Sequence, residues 1–362
     1  MDSNNKNLLE SKSKPPTILN EIYSQKDIIS NVASLIFNEK QQILKFTGDF
    51  RNVYFIGCGS SYHAGMIAEF TFNKIFTDKI SYGITGSEFF IYPEIFIKNN
   101  NEQDLFFLIS RTGRTTELIY SANEIKKRKG KIISLVTFPK CPLLNNSDFK
   151  IILDKAQEKS ITATRSVTST TAALIEIIYF LSRKEYFVER LLEQNEKFFA
   201  NLDEYSGLLS LIINKEDLNN FVFLGSGPFY GVAREAELKV KEMSISNTTS
   251  SQPLEFRHGH KAIINHNTLA IIFVLNSSLK YEINAINDLK RLGAKVIIIH
   301  DSKKRLELDY KCDLEININS ELDEDHKPIF YQVFGQLIGY HNALKKGFDP
   351  SNPENLDYFV TF

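Results

Sequence analysis

A chain that carries the same strand-to-helix unit twice has few ways to fold, and that repeat is the strongest constraint here. Residues 55–70, FIGCGSSYHAGMIAEF, lie over residues 223–238, FLGSGPFYGVAREAEL, at an offset of 168. Gly57, Gly59, Tyr62, Ala68 and Glu69 fall on Gly225, Gly227, Tyr230, Ala236 and Glu237. Each copy begins as an apolar run (NVYFIG, NFVFLG), turns through glycine and continues with helical spacing. DLFFLIS and KIISLVTF follow in the first half, TLAIIFVLN and KVIIIHD in the second. None of these runs alternates strictly, the pattern of strands covered on both faces of a parallel sheet. Stretches between them, such as RTTELIYSANEIKKRKG, are helical in pattern and stop in Lys/Arg and glycine. Repeated units of this kind require right-handed crossovers. The fold class is therefore α/β: two tandem domains, each a doubly wound parallel sheet flanked by helices.

The length, 362 residues, suits two such domains. Residues 1–16 read as a disordered lead, and 17–205 as the first domain, with the amphipathic helix TILNEIYSQKDIISNVASLI ahead of its sheet. Residues 206–346 read as the second domain and 347–362 as a C-terminal tail. A net charge of −1 points away from nucleic acid and from anionic membranes, so any anion site has to be local. Cys58, Cys141 and Cys312 are widely spaced with no CxxC pair, which argues for a reducing compartment. The polar N-terminus lacks the apolar core of a signal peptide, and no run is long enough to span a bilayer. A cytoplasmic location is expected.

A glycine turn after a strand invites a dinucleotide, but G-x-G-x-x-G fails in both copies because Tyr62 and Tyr230 replace the third glycine. No G-x-x-x-x-G-K-[ST] occurs, and no cofactor is expected. What remains are hydroxyl-rich turns at strand ends in the first half: GCGSS (57–61), SRTGRTT (110–116) and SITATRSVTSTT (160–171). LNSSLKYE and HDSKKRLE in the second half show nothing comparable. Any one such turn is explained by helix capping. Three on one sheet edge favour a phosphate cradle, with hydroxyls and helix N-termini as donors. Arg111 and Arg114 either reinforce that field or lie in solvent.

The densest ionisable cluster spans residues 234–263. Glu235, Lys239 and Glu242 share one helix face, and Glu237 and Lys241 form a second pair. They make either a salt-bridged surface helix or, with the Ser/Thr-rich loop and the Glu255, His258, Gly259, His260 stretch after it, an acid–base site. His258 and His260 have no suitably spaced third ligand, so no metal is expected. His63, His266, His300, His326 and His341 read as structural or exposed.

GCGSSYHAG, SRTGRTTE and TATRSVTST, followed by EAELKVKEMS, LEFRHGH and NPENLDYFVTF, resemble the sugar isomerase (SIS) domain family over nearly the whole chain. The likeness is greatest to the isomerase half of glucosamine-6-phosphate synthase and to the free-standing glucosamine-6-phosphate deaminases. It implies a phosphorylated sugar held by Gly59, Ser60, Ser61, Ser110 and Thr112. Arg111, Thr115, Thr162 and Ala163 would complete that pocket. The resemblance also places Glu242 on the glutamate that moves a proton between C1 and C2. His258 falls on the histidine that opens the ring, which in the family comes from the neighbouring subunit, so a homodimer is implied. Glu235 and Lys239 match further acidic and basic positions that face the substrate.

Three departures steer the reading. The chain carries no glutaminase domain and has Asp2 in place of an N-terminal cysteine nucleophile. Tyr358 stands where the synthase has its Schiff-base lysine. Arg111 and Arg114 replace uncharged and acidic residues, and EKSITATRSVTST is nearer the deaminase branch. The expectation is an amino-sugar-phosphate deaminase/isomerase that converts glucosamine 6-phosphate to fructose 6-phosphate and ammonia. A fructosamine-6-phosphate deglycase, a synthase without its glutaminase, and a non-catalytic sugar-phosphate sensor are the alternatives; Glu242 and His258 together favour an enzyme.

Overall fold

The computed structural model describes residues 17–97, 102–183, 188–302, 306–319 and 324–360. The lead assigned to residues 1–16 lies outside them. Two helices open the described chain, α1 (Thr17–Tyr23) and α2 (Gln25–Thr47), separated at Ser24 where a single amphipathic helix was expected.

The first sheet follows. Strand β1 (Asn52–Gly57) leads into α3 (Ser60–Ile75), β2 (Ile80–Thr85), and the short helices α4 (Gly86–Ile91) and α5 (Pro93–Phe96). Then come β3 (Leu105–Ile109), α6 (Thr116–Lys127), β4 (Lys131–Val136) and β5 (Phe149–Ile152). Helix α7 (Arg165–Leu181) returns across the sheet, and α8 (Val188–Ala200) and α9 (Leu202–Lys215) bridge to the second half. There β6 (Asn220–Gly225), α10 (Pro228–Ser244), β7 (Asn247–Ser251) and α11 (Pro253–Phe256) are succeeded by β8 (Thr268–Phe273) and α12 (Leu279–Arg291). Strands β9 (Lys295–His300) and β10 (Leu314–Asn317) and the long α13 (Pro328–Lys346) complete the order.

Both sheets are parallel throughout. Their orders, β2-β1-β3-β4-β5 and β7-β6-β8-β9-β10, are the same topology twice. In each the chain leaves the second position in opposite directions, which opens a crevice at the carboxyl ends of β1/β3 and β6/β8. The SNTTSS stretch, taken from the sequence as a loop, is instead strand β7, an edge strand beside β6. Its threonines are β-branched and half-exposed, which suits a pleated edge.

The repeated glycines have a steric cause. Gly59 and Gly227 take φ of 54° and 57°, a left-handed turn that a β-carbon disfavours. The halves pack through α3 against α10, while α13 lies on α10 and α2 on α7. Gly335 lets α13 approach closely: a β-carbon there would sit 2.5 Å from that of Ala236. A buried amide pair, Gln25 Nε2 donating to Gln336 Oε1 at 2.8 Å, ties the start of α2 to α13. Among the described residues no helix is long and apolar enough to cross a membrane.

Candidate active site

A cavity of about 320 Å³ lies at the carboxyl ends of β1 and β3, within the range of about 300–1,000 Å³ usual for small-molecule pockets. Gly59, Ser60 and Ser61 line it from the first glycine turn, and Ser110, Arg111, Thr112 and Thr115 from the loop after β3. Ala163 comes from the segment before α7, Glu242 from α10, and residues 356–360 of the C-terminal segment form one wall.

The hydroxyls after β3 hold their own turn and still face the cavity. Ser110 Oγ accepts from the backbone N–H of Gly113 at 3.0 Å, and Thr112 Oγ1 from that of Arg114 at 3.2 Å. An oxygen that accepts from the backbone keeps its own proton for donation. Ser110 and Thr115 are 3.3 Å apart, Oγ to Oγ1, immediately before α6 begins, where the helix dipole favours an anion.

The third turn behaves differently. Helix α7 already starts at Arg165, so Thr168, Thr170 and Thr171 lie inside it and donate to carbonyls one turn back. Its N-terminus is occupied by the chain's own carboxylate. Glu158 accepts from Thr164 N at 2.6 Å, from Thr164 Oγ1 at 2.7 Å, and from the Ser166 hydroxyl. Thr162, expected in the pocket, does not line it; its hydroxyl is buried without a hydrogen-bond partner among the described residues.

Arg111 is also turned to another task. Its guanidinium donates to the carbonyls of Ile161 at 2.8 Å and Tyr358 at 2.9 Å, stands 3.6 Å from Glu158, and lies 4.1 Å from the Tyr358 ring centroid. Tyr358 in turn donates to the Glu158 carbonyl at 2.7 Å. Arginine and tyrosine thus clasp the C-terminal segment against the cavity. Burial, only partly offset by Arg111, raises the Tyr358 phenol above its ordinary value.

Beneath Glu242 runs a buried chain of charges. Lys239 Nζ donates to Glu242 Oε2 at 2.6 Å and to Ser60 Oγ at 3.1 Å, and stands 3.3 Å from Glu235 Oε1. Glu235 Oε2 meets His63 Nδ1 at 2.8 Å. Burial alone would lower the Lys239 ammonium, but Glu235 and Glu242 outweigh it and hold it above its ordinary value. Burial would likewise raise Glu235, yet Lys239 and His63 hold that carboxyl below its usual range. Both groups therefore carry their charges. Glu235 and Lys239, expected to touch substrate, underlie the cavity instead of lining it. His63 was read from the sequence only as structural or exposed; its link to Glu235 spans 172 residues and left no local signal.

His258 lies elsewhere. It is exposed in the segment after α11 and does not line the cavity of its own chain. In the matching loop of the second half, Glu324 accepts from Ser277 N at 3.1 Å and from Ser277 Oγ at 2.9 Å.

A family model described as the SIS domain matches residues 49–178 and again 215–344. Among curated proteins, the glutamine–fructose-6-phosphate aminotransferase (isomerizing) of Wigglesworthia glossinidia brevipalpis is 26% identical over 325 residues, covering 86% of this chain and 51% of its own. That of Chlamydia trachomatis is 26% identical over 360 residues, covering 95% and 58%. The chain thus spans about half the length of the curated relatives it matches. Among solved structures, a glucosamine-6-phosphate deaminase from Thermotoga maritima is 26% identical, with a TM-score of 0.75 and coverage of 96% of this chain and 100% of that one. The C-terminal domain of a glucosamine-fructose-6-phosphate aminotransferase from Francisella tularensis, at 23% identity, covers 92% and 98% with a TM-score of 0.80, a likeness of fold.

Proposed function

The chain belongs to the SIS-domain family, and on that premise we propose that it deaminates a phosphorylated amino sugar, turning glucosamine 6-phosphate into fructose 6-phosphate and ammonia. The observation that carries this reading is one cavity of about 320 Å³ with hydroxyl donors at one side and the Glu242 carboxylate at another. The Ser110, Thr112 and Thr115 hydroxyls and the start of α6 take the phosphate. Glu242 removes the proton from C2 of the open-chain sugar and returns it to C1. The resulting ketose imine is hydrolysed by water, which releases ammonia. No redox partner is required.

His258 is the group for ring opening, since an imidazole can both donate and accept a proton. Since it is exposed and absent from its own chain's cavity, its supply by a second copy in a homodimer is part of the proposal. Tyr358 in the pocket wall offers no amine for covalent capture of a ketose, which favours deamination over synthesis. The similarity to the Thermotoga maritima deaminase, at full coverage of that chain, agrees.

The test is ammonia release from glucosamine 6-phosphate, run beside fructosamine 6-phosphate and, for synthesis, fructose 6-phosphate with ammonia. The expected result is turnover of glucosamine 6-phosphate that falls at least about 100-fold in Glu242→Gln, the usual scale for a lost general base. Undiminished turnover in that variant would remove the proposed base; a preference for fructosamine 6-phosphate would move the assignment to a deglycase.

A further inference from the structure

His63 sits in α3 of the first half with 5% of its surface exposed, and Glu235 and Lys239 of α10 have none exposed. The three meet across the interface between the halves, and their chain of contacts ends on Glu242, a carboxylate that lines the cavity. We infer that His63 is a positioning residue for Glu242, acting through Glu235 and Lys239. The inference rests on the reading of Glu242 as the base.

The physical basis is one ammonium shared between two carboxylates in a dry setting. Lys239 Nζ lies nearer Glu242, at 2.6 Å, than Glu235, at 3.3 Å. Water cannot relax such an imbalance, because all the groups except Glu242 are buried. His63 serves the other oxygen of Glu235, so that carboxylate does not need Lys239 for itself. With His63 in place the ammonium is left to fix the Glu242 carboxylate and the Ser60 hydroxyl at the cavity edge. Without it, Glu235 draws Lys239 inward and Glu242 loses its partner.

Other charges face the ends of this chain. Arg111 from the loop after β3, Glu117 of α6 and Asp357 of the C-terminal segment line the same cavity as Glu242. Beside His63, the Tyr62 ring centroid is 6.0 Å away, and its phenol feels Glu69 and Arg234. Substitutions at His63 leave those groups unchanged.

The experiment is a carboxyl-carbon NMR titration of Glu242 in the ligand-free protein, paired with kcat and KM for glucosamine 6-phosphate. In His63→Ala the Glu242 midpoint rises by at least about half a pH unit, since its carboxylate loses stabilisation. In His63→Asn, whose amide nitrogen sits near the position of Nδ1, it returns towards wild type. In Glu235→Gln, where Lys239 has only one carboxylate to serve, it falls. Turnover in His63→Ala drops roughly tenfold or more with KM within about twofold, the pattern of a displaced catalytic group. An unmoved midpoint in His63→Ala overturns the inference, whatever Glu235→Gln does. If His63→Ala does not fold, His63→Leu, which keeps bulk but removes the ring nitrogen, decides it: a raised midpoint supports the inference and a wild-type midpoint overturns it. Should the wild-type protein turn over no amino-sugar phosphate, the functional reading falls, while the titration still decides the positioning.

Discussion

Five N–H donors in a rigid fork make arginine the residue that can hold several acceptors at once, and Arg111 does so. Three carbonyls, the Glu158 carboxylate and the face of Tyr358 take up its guanidinium, so much of its charge is balanced before any ligand arrives. Arg111→Lys keeps the charge but loses the fork and the stacking. We expect hydrogen exchange across residues 356–360 to quicken and KM to rise about tenfold, equivalent to about 1.4 kcal/mol of lost binding, with a smaller change in kcat. Unchanged exchange in that segment would show that the clasp does not depend on Arg111. From the sequence, Arg111 was legible as a cation among hydroxyls and, through the family resemblance, as a pocket residue, but not as a clasp on the C-terminal segment. Its partner Tyr358 is 247 residues away, and no spacing rule reaches that far. Ser110 and Thr112 were legible because turn chemistry is local.

The same contrast holds for whole elements. The central strands β1, β3, β4, β6, β8 and β9 were readable as apolar runs because both faces are covered; all five residues of β3 and all six of β8 are buried. The edge strands β2, β5, β7 and β10 bury only alternate or scattered positions, so they look like loop or helix in sequence. Helix α7 shows a different departure from pattern. All but its first residue are buried, including Glu176, whose two carboxyl oxygens have no hydrogen-bond partner among the described residues. Burial pushes its carboxyl up to about 8. A carboxyl raised in the folded state favours folding most below its unfolded value near 4.5, and that advantage is lost as pH climbs towards 8. Glu176→Met should therefore stabilise the protein, by about 1–4 kcal/mol where the acid would otherwise ionise, and more at pH 8 than at pH 5. Thermal unfolding at the two pH values checks this; a loss of stability at pH 8 would show that the carboxyl has an unseen partner. Helix α12 supplies another case. Asp288 faces Arg257 at 2.9 Å and Lys261 at 3.1 Å, which bracket His258. Partial burial opposes its charge, but Arg257, Lys261 and Arg291 hold its carboxyl down to about 2. That tie is complete above the ordinary carboxyl value of 3.8 and is lost as pH falls towards 2. Because the cations are half in water, Asp288→Asn should cost no more than about 1 kcal/mol. Limited proteolysis between residues 257 and 261 should nevertheless speed up, and no change there would release Asp288 from the role of anchor.

Across the whole molecule the duplication gives two crevices of one topology, and the hydroxyl-lined cavity lies in the first. The repeat itself was plain in the sequence, as was the lack of hydroxyl turns in the second half. The carboxylate that meets the second loop was not, because Glu324 reaches Ser277 from 47 residues downstream. A carboxylate that accepts from both the N–H and the hydroxyl of a loop occupies the place an anionic ligand would take, and it repels one at close range. Glu282, one turn further on, is buried and accepts from Ser278 Oγ at 2.8 Å, and that burial raises its carboxyl above the usual range. In the first half the chain's own carboxylate, Glu158, fills only the start of α7 and leaves the start of α6 open. Calorimetric titration with fructose 6-phosphate should therefore show one site per chain. Removing the internal carboxylate by Glu324→Ala frees the Ser277 donors, so a second and weaker phosphate-dependent heat should appear in that variant alone. Two equal sites in the wild-type protein would mean that Glu324 yields to the ligand, and that the two halves of the duplication remain equivalent in binding as well as in fold.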